Sequence, residues 1–253
     1  MSLSESSSVA DCACLLACSE KESGAWLHAL PVSSLGNLLL DSHLRISVAL
    51  RLGVKVCEQH LCRCGAEVAE DGHHGLSCRL SAGRHSRHSE LNQDTKRGLV
   101  TAGYHAVREP AGLSANCDVR PDGITQVPWS RGRSLIWDVT VTDTCAPSYL
   151  GDTSERVGAA AELAEKRKVA KYRSLLERFV FIPLAFETFG VWGEEAKHFV
   201  KELGSKLTFQ SGEPRSSAFL KQKISLGIQR GNAICVLGTF PFESDLGQIF
   251  YLA

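Results

Sequence analysis

The sequence lacks several features that would assign it to a class at once. No stretch of 18 consecutive apolar residues occurs among its 253 residues, so we expect no membrane-spanning helix. An excess of charge is also missing, because 28 Lys and Arg balance 28 Asp and Glu. This neutrality argues against tight nonspecific nucleic-acid binding by the whole surface, although a local basic patch is compatible with it. The N-terminus has no basic segment before its short apolar run ACLLAC, so we expect no signal peptide.

The composition is otherwise that of an ordinary folded protein, with one exception. An apolar fraction of 43% and a charged fraction of 22% suffice for one large domain or two small ones. The exception is the set of ten cysteines, which cluster with histidines instead of being spread evenly. This clustering favours an intracellular metal site over a disulfide framework.

The densest cluster is the segment CEQHLCRCGAEVAEDGHHGLSC, residues 57–78. Zinc is commonly held by four Cys or His side chains that form two close pairs separated by a loop. The preferred ligand set consists of Cys62, Cys64, His74 and Cys78. The alternates that stay open are Cys57, His60 and His73. We therefore predict a structural zinc site, and the competing interpretation is chance clustering in a reduced loop.

A basic segment, RLSAGRHSRH at 79–88, follows the cluster and leads into a predicted helix. Donors of this kind suit phosphate contacts, and the N–H groups of a helix N-terminus add to them. The alternative is a solvated loop that pairs with Glu90 and Asp94. The candidate nucleic-acid-binding residues, including one arginine further along the chain, are Arg84, His85, Arg87, His88 and Arg120.

The hydrophobic pattern and the turn residues predict a mixed α/β sheet covered by helices. Residues 1–22 are expected to form a tail or a short helix. Pro128 and residues 130–132 separate two strands as a hairpin connection would. The predicted helices cover 41–53, 87–106, 153–178, 193–209 and 215–237, and the predicted strands lie at 106–110, 118–127, 134–142 and 179–190.

Two aspartates stand out because of their surroundings. Asp122 follows a proline in RPDG, and Asp138 lies inside the strand-like run SLIWDVTVT. Side chains alternate along a strand, so the core face carries Trp137, Val139 and Val141, and the opposite face carries Ile136, Asp138 and Thr140. Two close carboxylates repel each other unless a cation neutralises them, and Mg²⁺ favours carboxylate oxygens. We therefore expect a magnesium site at these acids, with an exposed edge strand as the alternative.

The predicted helix over 153–178 contributes two lysines. At about 100° per residue, Lys168 and Lys171 fall on its apolar stripe, whereas Lys166 points away. Lysines on such a stripe either extend to the rim, which is commoner, or reach the acids. The presence of the acids favours the second interpretation. The apolar members of the stripe are Val157, Ala160, Ala161, Ala164 and Leu175.

Taken in order, these motifs resemble the PD-(D/E)xK restriction-like endonucleases. The order is a Glu-bearing helix, then Glu109-Pro110, Arg120-Pro121-Asp122, Asp138-Val139-Thr140 and Lys168-x-x-Lys171-Tyr172. The most similar branch lies at the C-terminus of site-specific non-long-terminal-repeat retroelements, where a Cys/His knuckle precedes the nuclease. HGLSCRLSAGRHSRH, RPDG, WDVTVTDT, APSYL and QRGNAICVLGTF also resemble the C-terminal part of animal retrotransposon reverse-transcriptase polyproteins. The resemblance covers roughly residues 22–240.

The resemblance implies a restriction-endonuclease-like αβββαβ core with a small zinc-binding module. It divides the chain into a remnant of an upstream polyprotein (1–53), the Cys/His knuckle (54–84), the nuclease core (85–190) and C-terminal helices (191–253). No reverse-transcriptase motif with paired aspartates occurs, so we expect a fragment, a truncated copy or a domesticated remnant.

The resemblance also implies roles for single residues. Asp122, Asp138 and the Val139 carbonyl would hold Mg²⁺ or Mn²⁺. Lys168 or Lys171 would act on the attacking water, because Thr140 stands where most of the superfamily has lysine. Glu109 or Glu90 would support a second metal ion or the water.

Three functions follow as hypotheses. The preferred one is a metal-dependent DNA endonuclease that leaves a 5′-phosphate and a 3′-hydroxyl. The second is an inactive nucleic-acid-binding zinc module, and the third is a structural remnant whose acids pair with Arg120, Arg131 or Arg133. The preferred function implies double-stranded DNA as the partner, RNA as an alternative, and a nuclear location. The sequence leaves the oligomeric state open.

Overall fold

The computed structural model describes residues 8–81, 83–113 and 119–240. Within them the chain forms a four-stranded mixed sheet with helices on both faces and a separate two-stranded ribbon. The helices are α1 (Val9–Ser19), α2 (Asp41–Leu52), α3 (His73–Ser77), α4 (Gly83–Thr101), α5 (Leu150–Thr153), α6 (Ala159–Lys171), α7 (Glu194–Ser211) and α8 (Ser216–Leu237). The strands are β1 (His60–Leu61), β2 (Glu67–Val68), β3 (Ala106–Arg108), β4 (Gly123–Ser130), β5 (Arg133–Thr142) and β6 (Val180–Glu187). The mixed α/β class predicted from the sequence is confirmed.

The register of the main sheet places the two aspartates side by side. Its strand order is β3-β4-β5-β6, with antiparallel pairing from β3 to β5 and parallel pairing between β5 and β6. Gly123 pairs with Trp137, and the Asp122 N–H donates to the Trp137 carbonyl at 2.9 Å. Asp122 therefore lies across the strand pair from Asp138.

The β4–β5 hairpin closes through a two-residue turn. Arg131 and Gly132 have φ angles of 50° and 73°, the conformation that tight hairpins require at both central positions. Pro128 was predicted in the connection, but it lies inside β4, where the register shifts. A proline is tolerated there because an irregular position does not need its N–H for the ladder.

Side chains of β5 alternate between two cores, as the sequence predicts. Trp137 and Val139 join the large core formed with α4, α7 and α8. Ile136 packs on the opposite face with Tyr172 and Leu175. Asp138 points to this second face and is only 4% exposed, so its charge requires partners inside the protein.

The prediction of one continuous helix over 153–178 is wrong. The chain forms the short α5, and α6 begins only after Gly158, whose φ of 76° interrupts a right-handed helix. The other end of α6 is Lys171, and the next residue, Tyr172, is fully buried. Lys168 and Lys171 therefore both lie in the last turn of a helix that covers one face of the sheet.

Smaller differences from the predicted elements occur at both ends of strands and helices. The tail-or-helix segment contains α1, which Ser8 and Asp11 begin with a capping box. The predicted strand over 118–127 starts at Gly123, and residue 118 lies outside the described residues. The helix predicted over 87–106 already starts at Gly83 and ends at Thr101. None of the helices in the described ranges is long and apolar enough to cross a membrane.

Helix α8 joins the ribbon region to the sheet. A Cβ on Gly75 of α3 would lie 2.9 Å from the Val236 Cα, and one on Gly83 would lie 2.5 Å from the Cys235 nitrogen. Only glycine allows such close backbone contact, so α3 and the start of α4 are held tightly against α8. The basic segment that follows the ribbon is thereby fixed beside the sheet.

Candidate active site and metal centre

Asp138 lies at the centre of a buried polar cluster. The Lys168 Nζ atom is 2.5 Å from its Oδ1 atom, and the Tyr172 hydroxyl donates to its Oδ2 atom. The same hydroxyl lies 2.7 Å from the Arg120 carbonyl oxygen. A buried carboxylate is tolerated when a cation and hydrogen bonds compensate it, and both are present here. Lys168 is therefore the helical lysine that reaches the acids.

Asp122 has a different set of partners. Its Oδ2 atom accepts the Val139 N–H at 2.7 Å and lies 3.0 Å from the His88 Nε2 atom. Burial alone would raise the pKa of Asp122, but hydrogen bonds from His88, Val139 and Asn92 together with the His88 charge hold it below its usual value. The hydrogen bond to Asp122 in turn raises the pKa of His88. The pair thus favours an imidazolium beside a carboxylate.

A basic groove opens beside the two acids. Its volume is about 390 Å³. The lining residues are Arg79, Arg84, His85, Arg87, His88, Val139, Thr140, Val141 and Lys168. Six of these nine are Arg, His or Lys, so the neutral chain concentrates positive charge at this place. The Thr140 hydroxyl is buried here, and the described part of the chain offers it no hydrogen-bond partner.

Some predicted site residues lie elsewhere. Lys171 is exposed, with its Nζ atom 5.2 Å from the centre of the Tyr172 ring. Glu109 is exposed and pairs with Arg120 at 3.0 Å. Glu90 forms an ion pair with Arg230 of α8. The Glu109 N–H donates to the Asp122 carbonyl at 2.8 Å, so Glu109 is next to that acid. The side chains of all three residues nevertheless have partners other than Asp122 and Asp138.

Arg87 differs most from its predicted role. It was expected to contact phosphate, but it is only 3% exposed, and its guanidinium donates to the Asn232 Oδ1 atom at 2.6 Å. Helix α8 covers it because α4 and α8 pack along their length. Arg84 and His85 are exposed on the groove, and these two remain available for an anionic ligand.

Two of the three arginine partners expected for a structural remnant are engaged elsewhere. Arg120 pairs with Glu109, and Arg133 donates to the Leu176 carbonyl at 3.0 Å. The acids are compensated by His88 and Lys168 instead.

The Cys/His segment forms a compact cluster that can hold a metal ion. The ligand atoms of the preferred set, Cys62, Cys64, His74 and Cys78, all lie within 4.8 Å of one another. The Cys62 and Cys78 sulfur atoms are 3.8 Å apart, and the Cys64 sulfur lies 3.3 Å from the His74 Nε2 atom. Tetrahedral zinc with bonds of about 2.3 Å separates two sulfur ligands by about 3.8 Å. The geometry is therefore consistent with zinc.

The alternate ligands are used differently. The Cys57 sulfur lies 3.6 Å from the Ala69 carbonyl oxygen, outside the cluster. His60 contacts the Thr239 hydroxyl at 2.9 Å and stacks on Phe240. His73 points to other cysteines, away from this cluster.

Three residues of the acid site have roles that the sequence did not predict. Tyr172 was noted only as part of a motif, and His88 only as a phosphate contact, yet each bonds one of the acids. Asn92 accepts the Trp137 Nε1–H at 2.7 Å and also bonds Asp122. The sequence offered one signal for two of these residues. Residues four apart on a helix share a face, so His88 and Asn92 could have been expected to point to the same place.

No protein-family model matches the chain, and no curated protein matches it significantly. What the fold and the site define is a mixed α/β protein with paired acids, a basic groove and a Cys/His cluster.

Proposed function

We propose that the chain is a metal-dependent DNA endonuclease of the restriction-endonuclease-like type. The observation that carries this proposal is the 2.5 Å contact between the Lys168 Nζ atom and Asp138 Oδ1. Asp122 lies on the paired strand, and the basic groove opens beside all three residues. Two acids and a lysine at an anion-attracting groove are the groups that phosphodiester hydrolysis needs.

The donor atoms at this site fit Mg²⁺ or Mn²⁺. Asp122 and Asp138 offer hard carboxylate oxygens on adjacent strands, and the Val139 carbonyl belongs to the same strand as Asp138. The unpartnered Thr140 hydroxyl borders the same groove in the described structure. An ion held by these groups would supply Lewis-acid activation of the scissile phosphate. Its binding competes with His88 and Lys168 for the carboxylates.

The protein's own residues then have distinct tasks. Lys168, released from Asp138, orients the attacking water and offsets charge on the phosphate. Tyr172 keeps Asp138 in place through its hydroxyl. Arg84 and His85 hold neighbouring phosphates of the duplex. The water oxygen loses a proton and bonds to phosphorus as the P–O3′ bond breaks, and O3′ takes up a proton, which leaves a 3′-hydroxyl and a 5′-phosphate.

Zinc in this proposal has a structural role. Four Cys and His ligands fill a tetrahedral site and leave no open position for a substrate. The cluster packs against α8 through α3 and so fixes the start of α4, which bears the basic side chains. Zinc would therefore position the groove without taking part in hydrolysis.

The test is nicking of supercoiled plasmid by zinc-loaded protein with and without added Mg²⁺ or Mn²⁺. We expect metal-dependent nicking, and a loss of at least about 100-fold in Asp122→Asn, Asp138→Asn and Lys168→Met. Lys171→Met is the matched control, because Lys171 is exposed in the same helical turn, and it should stay within a few-fold of wild type. Equal losses in both lysine variants, or nicking that survives Asp138→Asn, would refute the assignment.

One observation favours a second function, that of a nucleic-acid-binding module. Both acids already have protein cations as partners, and the groove is basic without any metal. This function predicts that the protein binds DNA with a steep salt dependence. Binding should be unchanged in Asp138→Asn and should be lost in the double variant Arg79→Ala with Arg84→Ala. Wild-type protein that binds DNA but never nicks it would select this alternative.

A further inference from the structure

A second cluster of soft ligands lies apart from the one described above. It consists of Cys14 on α1, His73 at the start of α3, and Cys145 in the loop after β5. Their ligand atoms all lie within 4.8 Å of one another, and the Cys14 and Cys145 sulfur atoms are 3.5 Å apart. The two cysteines are 131 residues apart in sequence, so the fold itself brings them together.

The surroundings of this cluster suit a metal ion. Cys14 is buried, and His73 and Cys145 are half-buried. The His73 ring packs edge-on against Phe189, with ring centres 5.6 Å apart. An Asp71 carboxylate oxygen lies 3.6 Å from the His73 Nδ1 atom, the arrangement in which a carboxylate orients a metal-binding histidine.

Cys18 is the candidate fourth ligand, and it lies outside the group of three whose ligand atoms are all within 4.8 Å of one another. Cys18 follows Cys14 by one helical turn, so both side chains lie on the same face of α1. Cys18 is half-buried, as Cys145 is. Its sulfur lies 3.8 Å from the Arg51 carbonyl oxygen. Three thiols and an imidazole form a ligand set typical of structural zinc.

We propose that Cys14, Cys18, His73 and Cys145 form a second zinc site. It fastens helix α1 to the loop that follows β5, the strand that carries Asp138. Soft thiolates select zinc over Mg²⁺, and the 3.5 Å sulfur separation is near the roughly 3.8 Å of a tetrahedral site. A Cys14–Cys145 disulfide is the rival, but its sulfur atoms would be about 2.05 Å apart. The proposal stands independently of nuclease activity, because it concerns other residues.

The experiment is a zinc count on the full chain, purified with zinc under reducing conditions and measured by native mass spectrometry. We expect two zinc ions per chain in wild type. Cys14→Ser and Cys145→Ser should each retain one. Cys12→Ser is the matched control, since Cys12 lies on α1 but outside the cluster, and it should keep two. Circular dichroism checks that each variant is folded.

Cobalt substitution gives a second, spectroscopic readout. Two tetrahedral thiolate sites should bind two Co²⁺ ions per chain, with charge-transfer absorption that falls by about half in Cys145→Ser. One ion in wild type, unchanged by Cys145→Ser, would overturn the second site. A Cys14–Cys145 disulfide in the reduced preparation would overturn it as well. Retention of two ions in Cys18→Ser would overturn the assignment of the fourth ligand.

Discussion

The Cys62–Cys78 cluster and the acid site are built in opposite ways. The ligands of the cluster lie within one short segment, which the β1–β2 ribbon and α3 fold into place. The acid site draws His88 from α4, Asp122 from the edge of β4, Asp138 from β5 and Lys168 from α6. Local sites can be identified from spacing alone, whereas a site of the second kind exists only when the sheet has the right register.

The two regions also differ in how charge is balanced. Burial raises the pKa of Cys62 to about 11, so its thiol stays neutral until a metal ion binds. The acid site supplies its own cations, Lys168 and His88. We therefore expect the ribbon region to depend on metal for its fold, and the acid site to keep its shape without one.

The largest effect should come from removing two ligands of the cluster. Structural zinc contributes on the order of 10 kcal/mol in small zinc domains, and the ribbon has little core of its own. Cys62→Ser with Cys78→Ser should therefore unfold residues 57–81 while the β4–β5 hairpin stays folded. Hydrogen exchange read by mass spectrometry should show lost protection at 57–81 and retained protection at 123–142.

Cys57→Ser is the matched control for this comparison. Cys57 is as buried as Cys62 but lies outside the cluster, so its replacement should leave zinc content and exchange unchanged. Loss of zinc in Cys57→Ser would show that Cys57 is a zinc ligand. Lost protection in the hairpin of the double variant would mean that the two regions fold as one unit.

A larger side chain at Gly123 should disturb the acid site by changing the strand pairing that positions it. A Cβ there would lie 2.0 Å from the Trp137 Cζ2 atom, and Trp137 is fully buried with its Nε1–H bonded to Asn92. Gly123→Ala should cost on the order of 3 kcal/mol, because the indole must move and the pairing that places Asp122 is disturbed. Urea denaturation measures the loss of unfolding free energy.

Gly151→Ala is the control for this prediction. Gly151 is exposed on α5, and a Cβ there meets nothing within 4 Å. Its effect should stay within about 0.5 kcal/mol. A Gly123→Ala protein as stable as wild type, with the same zinc content, would show that the contact between Gly123 and Trp137 does not set the register.

The same contrast explains what the sequence could predict. The cluster at 62–78 and the alternation along β5 follow from local patterns, and both were predicted. Lys168 and Lys171 share a helical stripe, but α6 ends at Lys171 and the next residue, Tyr172, is buried, which no local pattern indicates. Arg87 is buried because α8, far along the chain, covers α4.

The smallest effect concerns the His88–Asp122 pair and its pH dependence. The raised pKa of His88 means that its stabilisation is complete below the ordinary value of 6.5 and disappears as pH rises through the folded-state pKa. The lowered pKa of Asp122 means that its stabilisation is complete above 3.8 and is lost as pH falls through the folded-state pKa. The pair is therefore strongest between these two values.

His88→Gln should cost about 0.5 kcal/mol inside this window, since the imidazole is 43% exposed and solvent screens the pair. The difference from wild type should shrink toward pH 8.5, measured by urea denaturation at pH 5, 6, 7 and 8.5. His85→Gln, an exposed neighbour on α4, should show no such trend. Metal binding by thiols strengthens as pH rises, so the Cys62–Cys78 cluster should change in the opposite direction over the same range. A constant difference for His88→Gln would mean that the imidazole contributes by packing alone, and the acid site would then owe its balance to Lys168.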